Sequence, residues 1–203
     1  MGIMLNTDFK DFYDHGFVSK SDIVYNRKIS ESKDKGEAIN LLREVGINTI
    51  QIKPVSKFSY NIDELVVYTN PRLHGGRGKK VMKLYDASQM YGNYLASEYI
   101  KGTEGITIKV LHIGARRYRL TFKNTSRDLK LGELIQIEKL SSAYNYDFML
   151  PVFSIDYISD GMNTYAVDLN EVQNLEEIGM DKYITADEVI YEIYKSLIKY
   201  GKI

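Results

Sequence analysis

Cysteine is absent from the 203 residues, so neither a disulfide framework nor a thiolate zinc or iron–sulfur site can exist, and a reducing, cytoplasmic setting is expected. No apolar run approaches a membrane span. The opening Met-Gly-Ile-Met-Leu-Asn-Thr-Asp-Phe-Lys meets an Asp too early for a secretory signal, so no membrane partner is expected. A charge excess is missing too: 27 Lys plus Arg balance 27 Asp plus Glu, which removes the global argument for nucleic acid as the main partner. Repeats, low-complexity tracts and long linkers are also missing, which favours one chain of two interleaved lobes over separable domains. What is present, 44% hydrophobic and 27% charged residues, is ordinary for a soluble globular protein able to bury a core.

Apolar spacing predicts a helix over Gly36–Val45 (Ala38, Leu41, Leu42, Val45) stopped by Gly46, and alternation predicts a strand over Ile47–Lys53 ended by Pro54. Further strands are predicted at Glu64–Thr69, Val81–Tyr85, Tyr94–Ile100, Ile106–Ile113 and Tyr118–Phe122. A hairpin is predicted from Val152–Ile158 and Tyr165–Leu169 around Ser159-Asp160-Gly161. Thr185 with Glu188 three residues on reads as the capping box of a closing helix with stripe Val189, Ile190, Ile193, Leu197 and Ile198, stopped by Gly201. The expected class is α/β of the α+β kind, two lobes of largely antiparallel sheet with flanking helices.

Three constellations bear chemistry. Gly75-Gly76-Arg77-Gly78-Lys79-Lys80 is a glycine-rich turn between strands, where backbone N–H groups can approach oxyanions and cations neutralise them. It lacks the Lys-Ser/Thr and following helix of a Walker loop, and a plain flexible turn is the competing reading. Asp156 on one strand and Asp168 and Asn170 on its partner make a hard-oxygen set suited to Mg²⁺ bridging phosphates; an Asp inside Phe153-Ser-Ile-Asp-Tyr-Ile needs a partner or a metal. Glu98-Tyr99-Ile100, at an apolar strand end, could hold an adenine ring or be an ordinary terminus. In the window 109–130, Lys109, Arg116, Arg117, Arg119, Lys123, Arg127 and Lys130 outnumber Asp128; this cluster could meet phosphates or simply face solvent.

In their order along the chain these segments resemble ATP-grasp proteins, especially short phage-encoded ones and the glutamate-adding ligases of ribosomal proteins. The resemblance runs from Ser32-Lys-Asp-Lys35, Leu41-Leu42 and Gly46-Ile47-Asn-Thr49, through Val66-Val67, the glycine-rich loop, Glu98-Tyr99-Ile100 and Ile108-Lys109-Val110-Leu-His-Ile-Gly114, to Asp156 and Asp168-Leu-Asn170. It implies residues 1–31 as an N-terminal extension in place of a substrate-holding domain, and 32–203 as the ATP-grasp-like domain, with a smaller lobe near 50–100 and a larger near 101–203.

The implied activity is an ATP- and Mg²⁺-dependent ligation of a small-molecule or peptide carboxylate to an amine through an acyl phosphate. In that scheme Lys109, Lys123 and Arg77 are catalytic. Arg72, Gly75, Gly76, Gly78, Lys79, Glu98, Tyr99 and Ile100 bind nucleotide, and Asp156, Asp168 and Asn170 hold metal. The chain departs from the pattern at Thr107, Lys109, Asp168 and Gln173-Asn174, and between Tyr68 and Asn70 it has no basic residue, so Arg72 or Lys53 is expected to substitute. A non-catalytic nucleotide-binding regulator is the alternative, and a nucleic-acid binder stacking bases on the 17 tyrosines the more remote one. A homo-oligomer is compatible with either.

Overall fold

Alternation of apolar residues on both faces of its central strands builds the larger of two sheets. The computed structural model describes residues 3–4, 23–24, 35–71, 78–101, 105–123, 132–141, 148, 152–170 and 178–199. Among these, the strands are β1 (Ile3–Met4), β2 (Ile23–Val24), β3 (Lys53–Pro54), β4 (Glu64–Tyr68), β5 (Lys79–Lys83), β6 (Leu95–Glu98), β7 (Ile106–Ile113), β8 (Arg116–Lys123), β9 (Glu133–Lys139), β10 (Val152–Ser159) and β11 (Thr164–Asn170). The helices are α1 (Lys35–Glu44), α2 (Leu84–Tyr91) and α3 (Ala186–Lys199). β1 and β2 make a short parallel pair.

The larger sheet runs β11-β10-β7-β8-β9, antiparallel throughout. Side chains of successive residues leave a strand on opposite faces. One face therefore presents Leu111, Ile113, Tyr118, Leu120 and Val152 to Val189, Ile193 and Leu197 of α3. The other presents Phe153, Ile155, Ala166 and Leu169 to Ala38, Ile39 and Leu42 of α1. The smaller sheet, β3-β6-β4-β5, buries Leu65, Val67 and Ala96 with Leu84 and Ala87 of α2. Each wholly buried Leu or Ile here contributes about 1.5–3 kcal/mol of transfer free energy. The whole is the expected α+β architecture of largely antiparallel sheet with flanking helices.

Four details differ from the sequence expectation. Residues 47–53 are not one strand. Residues 48–50 meet β11 in one isolated parallel bridge, Thr49 to Ala166, in which Ala166 N–H donates to Asn48 O at 2.8 Å and Ile50 N–H to Ala166 O at 3.2 Å, and Lys53 already belongs to β3. The apolar alternation there serves Ile50, buried against α1, rather than a ladder. Pro54 lies within β3 rather than beyond it; β3 is an edge strand, where a missing N–H costs little. The strand expected over Val81–Tyr85 ends at Lys83, and α2 follows with Leu84 and Ala87 turned to the core at helical spacing. β9 was not foreseen, because as an edge strand it commits only Leu134 and Ile137 to the core and is otherwise mostly exposed. Gly201 lies outside the described residues.

Candidate functional site

In the β10–β11 register Asp156 stands directly opposite Asp168, and in the β7–β10 register Lys109 stands opposite Asp156. The row Lys109–Asp156–Asp168 thus crosses three neighbouring strands on one face. Like charges opposed across an antiparallel pair repel, so two carboxylates so placed need cations. Lys109, wholly buried, donates to Asp156 in an ion pair and to Ser154 Oγ at 3.3 Å. Lys35, the first residue of α1, reaches Asp168 Oδ1 at 2.6 Å and is itself buried. Asn170 closes the group by donating from Nδ2 to Asp156 Oδ2 at 3.0 Å. The β10–β11 register shifts just past Asp156, where an extra residue on β11 bends the hairpin beside the acids.

The electrostatics tie the two sheets together. Burial alone would raise the Asp168 carboxyl, but Lys35, Lys79 and Lys109 outweigh it and hold it below the usual carboxylate range. Burial pulls the Lys35 ammonium down; Asp168 opposes this and the Lys79 charge adds to it. Lys79 belongs to β5 of the smaller sheet, where it is the register partner of Tyr68. Tyr68 is buried with its hydroxyl 3.0 Å from Ser97 Oγ, and its phenol is pushed up first by burial and also by the Asp168 charge. Asp168 of the larger sheet therefore lies near enough to the β4–β5 end of the smaller sheet for its charge to act on both Tyr68 and Lys79.

The other residues singled out by sequence lie as follows. Gly78 has φ +68°, and a Cβ there would sit 2.7 Å from Asn70 O; it closes the β4–β5 hairpin, with Asn70 N–H donating to its carbonyl at 3.1 Å. Arg72, Gly75, Gly76 and Arg77, with Gln173 and Asn174, lie outside the described residues. Glu98 ends β6, exposed, and Tyr99 N–H donates to Glu64 O at 2.9 Å, so residues 98–100 lead out of the smaller sheet towards β7. Lys123 pairs in register with Ile106, three residues from Lys109, so it leaves the opposite face of the sheet and is exposed there. Lys53 lies over the Phe58 ring at 4.5 Å. Sequence reasoning quoted Lys35 only as part of a helix opening, and it gave Tyr68 and Ser154 no role; the one signal for Lys35 was its place just before an apolar helical stripe.

The donor set fits Mg²⁺. Two carboxylates and an amide on adjacent strands are what a cation that shares its shell with phosphates and water requires. Among the described residues no third carboxylate, histidine or cysteine joins them in a cluster, which suits such a shared shell and not an all-protein cage. The ammonium groups of Lys35 and Lys109 now supply the positive charge that a cation would bring.

No protein-family profile matches the chain, and no curated protein sequence matches it. Solved structures do. D-alanine–D-alanine ligase from Bacillus anthracis complexed with ATP superposes with a TM-score of 0.54 at 14% identity, over 98% of this chain and 76% of that one. The macrocyclase MdnC from Microcystis aeruginosa, bound with precursor peptide MdnA, gives 0.59 at 12% identity, over 90% and 67%. The ATP-grasp ligase PsnB, complexed with a minimal precursor variant, Mg and ADP, gives 0.53 at 15% identity, over 85% and 62%. The chain has the fold of the ATP-grasp ligases.

Proposed function

We propose that this protein is a cytoplasmic ATP-dependent ligase that activates a carboxylate as an acyl phosphate and passes it to an amine. The observation that carries the reading is the row Lys109–Asp156–Asp168, flanked by Lys35 and within the electrostatic reach of Lys79 on the smaller sheet. Two opposed acids ringed by three lysines are costly in an apolar sheet and suit a polyanion that arrives with a divalent cation. Residues 98–100 would hold the adenine, and Lys35, Lys79 and Lys109, with the glycine-rich turn 75–80, would meet the triphosphate. Asp156, Asp168 and Asn170 would hold Mg²⁺, which would supply neutralisation of the phosphate charge.

A carboxylate oxygen of the substrate attacks the γ-phosphorus, the bond from that phosphorus to the bridging oxygen breaks, and ADP leaves. The amine nitrogen then attacks the acyl carbon, the carbon–oxygen bond to phosphate breaks, and the amine gives up a proton to solvent. Lys109 fixes the position of Asp156 and stands beside the developing charge, the largest lever a preorganised site has. MdnC is bound with a precursor peptide and PsnB with a minimal precursor, and another protein of this fold is an L-amino acid ligase, so a peptide or amino acid is the substrate class to try first. Incubation with Mg²⁺, ATP and pooled amino acids, peptides and amines, following phosphate and new masses together, is expected to give phosphate release that depends on a carboxylate. Saturable ATP binding with no phosphate release across a broad pool would make this a nucleotide-binding regulator instead.

A further inference from the structure

We infer that α3 carries a self-association surface, on which a second copy of this chain packs its own α3 antiparallel. One side of α3 is accounted for by Val189, Ile193 and Leu197, which close the core over β7 and β8. The opposite side should then be polar, since an amphipathic helix with one packed face keeps charge on the other. It is only partly so: among Asp187, Lys195 and Lys199 stand Ile190, 57% exposed, Tyr191, 58%, Tyr194, 49%, and Ile198, 52%. Four large apolar side chains contiguous on an open helix side are the kind of patch that marks an interaction surface.

The spacing on that open side says what covers it. Asp187, Tyr191, Tyr194 and Ile198 fall four, three and four residues apart, the spacing of one seam of a helix pair, with Ile190 beside it. Charge sets the direction. Along the exposed side Asp187 stands at the N-terminal end and Lys199 at the C-terminal end, while Glu188 is held by Arg116, and Lys195 by Glu192 and the Tyr191 ring. Parallel pairing would place Asp187 against its own copy. Antiparallel pairing with Tyr191 against Tyr194 of the second copy lays Asp187 beside Ile198 and Lys199 of that copy, twice over by the two-fold axis, and opposes the helix dipoles. The surface maps onto itself, which a partner of another sequence would have to imitate.

Four half-exposed side chains leave less than the roughly 800 Å² per partner of a standard interface, so the dimer is a weak one, with a Kd on the order of 10–100 µM. Sedimentation of the full chain over that range should show a reversible monomer–dimer equilibrium. Tyr194→Asp should weaken it at least about tenfold, as loss of a central aromatic anchor does. Asp187→Lys should weaken it, and adding Lys199→Asp to that variant should restore it. Because the chain has no cysteine, Asp187→Cys/Ile198→Cys puts two thiols opposite one another in this register that should oxidise to a covalent dimer, whereas Tyr60→Cys, 96% exposed and far along the chain, should stay monomeric. A monomer at every concentration, a dimer indifferent to Tyr194→Asp, or equal cross-linking of the two cysteine variants would overturn the inference.

Discussion

His112 shows most simply what one buried polar side chain does to this protein. It stacks on Phe153 with ring centroids 4.2 Å apart, and burial, helped by the charge of Arg117, pulls its imidazole down to about 3. The folded protein therefore holds it neutral, while the unfolded chain takes up a proton near 6.5. Below that pH the unfolded state binds more protons, so stability falls as pH drops from about 6.5 towards about 3, with a slope approaching 1.4 kcal/mol per unit. Denaturant melts across this range should show that slope flattened in His112→Gln, whatever the variant's absolute stability. Lys109 is the other telling residue. Lys109→Met should destabilise by about 3–5 kcal/mol, because it leaves Asp156 partly buried without its partner, and Lys109→Met/Asp156→Leu should recover part of the loss. The acids of the site were legible in the sequence because a carboxylate inside an apolar strand has few structural excuses. Lys35 was not, since a lysine opening a helix reads as solvated until the fold brings Asp168 to it.

At the level of elements, local chemistry was legible where it was self-contained. Thr185 and Glu188 form the expected reciprocal cap of α3: Glu188 N–H donates to Thr185 Oγ1 at 3.2 Å, and Thr185 N–H to Glu188 Oε2 at 3.0 Å. The bond from Thr185 N–H, then the Arg116 guanidinium and the Thr185 hydroxyl, pull the Glu188 carboxyl down to about 2. Thr185→Ala should cost about 1 kcal/mol, read from thermal melts. Hairpins were legible for the same reason: β7 and β8 turn at Gly114, which has φ +56° and would place a Cβ 2.8 Å from Glu192 on α3. Gly114→Ala should destabilise by about 2–4 kcal/mol, combining left-handed strain with overpacking. Illegible were the segments whose state depends on distant partners. The alternating run 47–53 meets β11 in one bridge without extending its ladder, and α2 begins where strand-like residues stop, because Leu84 and Ala87 are needed over β4 and β6.

On the scale of the whole molecule, the two sheets matter for the space between them. Five-stranded and four-stranded layers, each with its own apolar core, bring Tyr68 and Lys79 from one side to Asp168, Asp156 and Lys109 on the other. The order of motifs along the chain made this architecture legible; the pairing of particular lysines with particular acids was not, because it follows from register and helix placement. The proposed binding of ATP with Mg²⁺ along that charge row is tested most directly by calorimetric titration of ATP. With Mg²⁺ present, the parent protein should bind ATP at one site. Asp168→Ala should weaken binding at least about tenfold, a difference of about 1.4 kcal/mol or more, and withdrawal of Mg²⁺ should do the same to the parent but little further to the variant. Binding that is equal in parent and Asp168→Ala, or indifferent to Mg²⁺, would contradict the account.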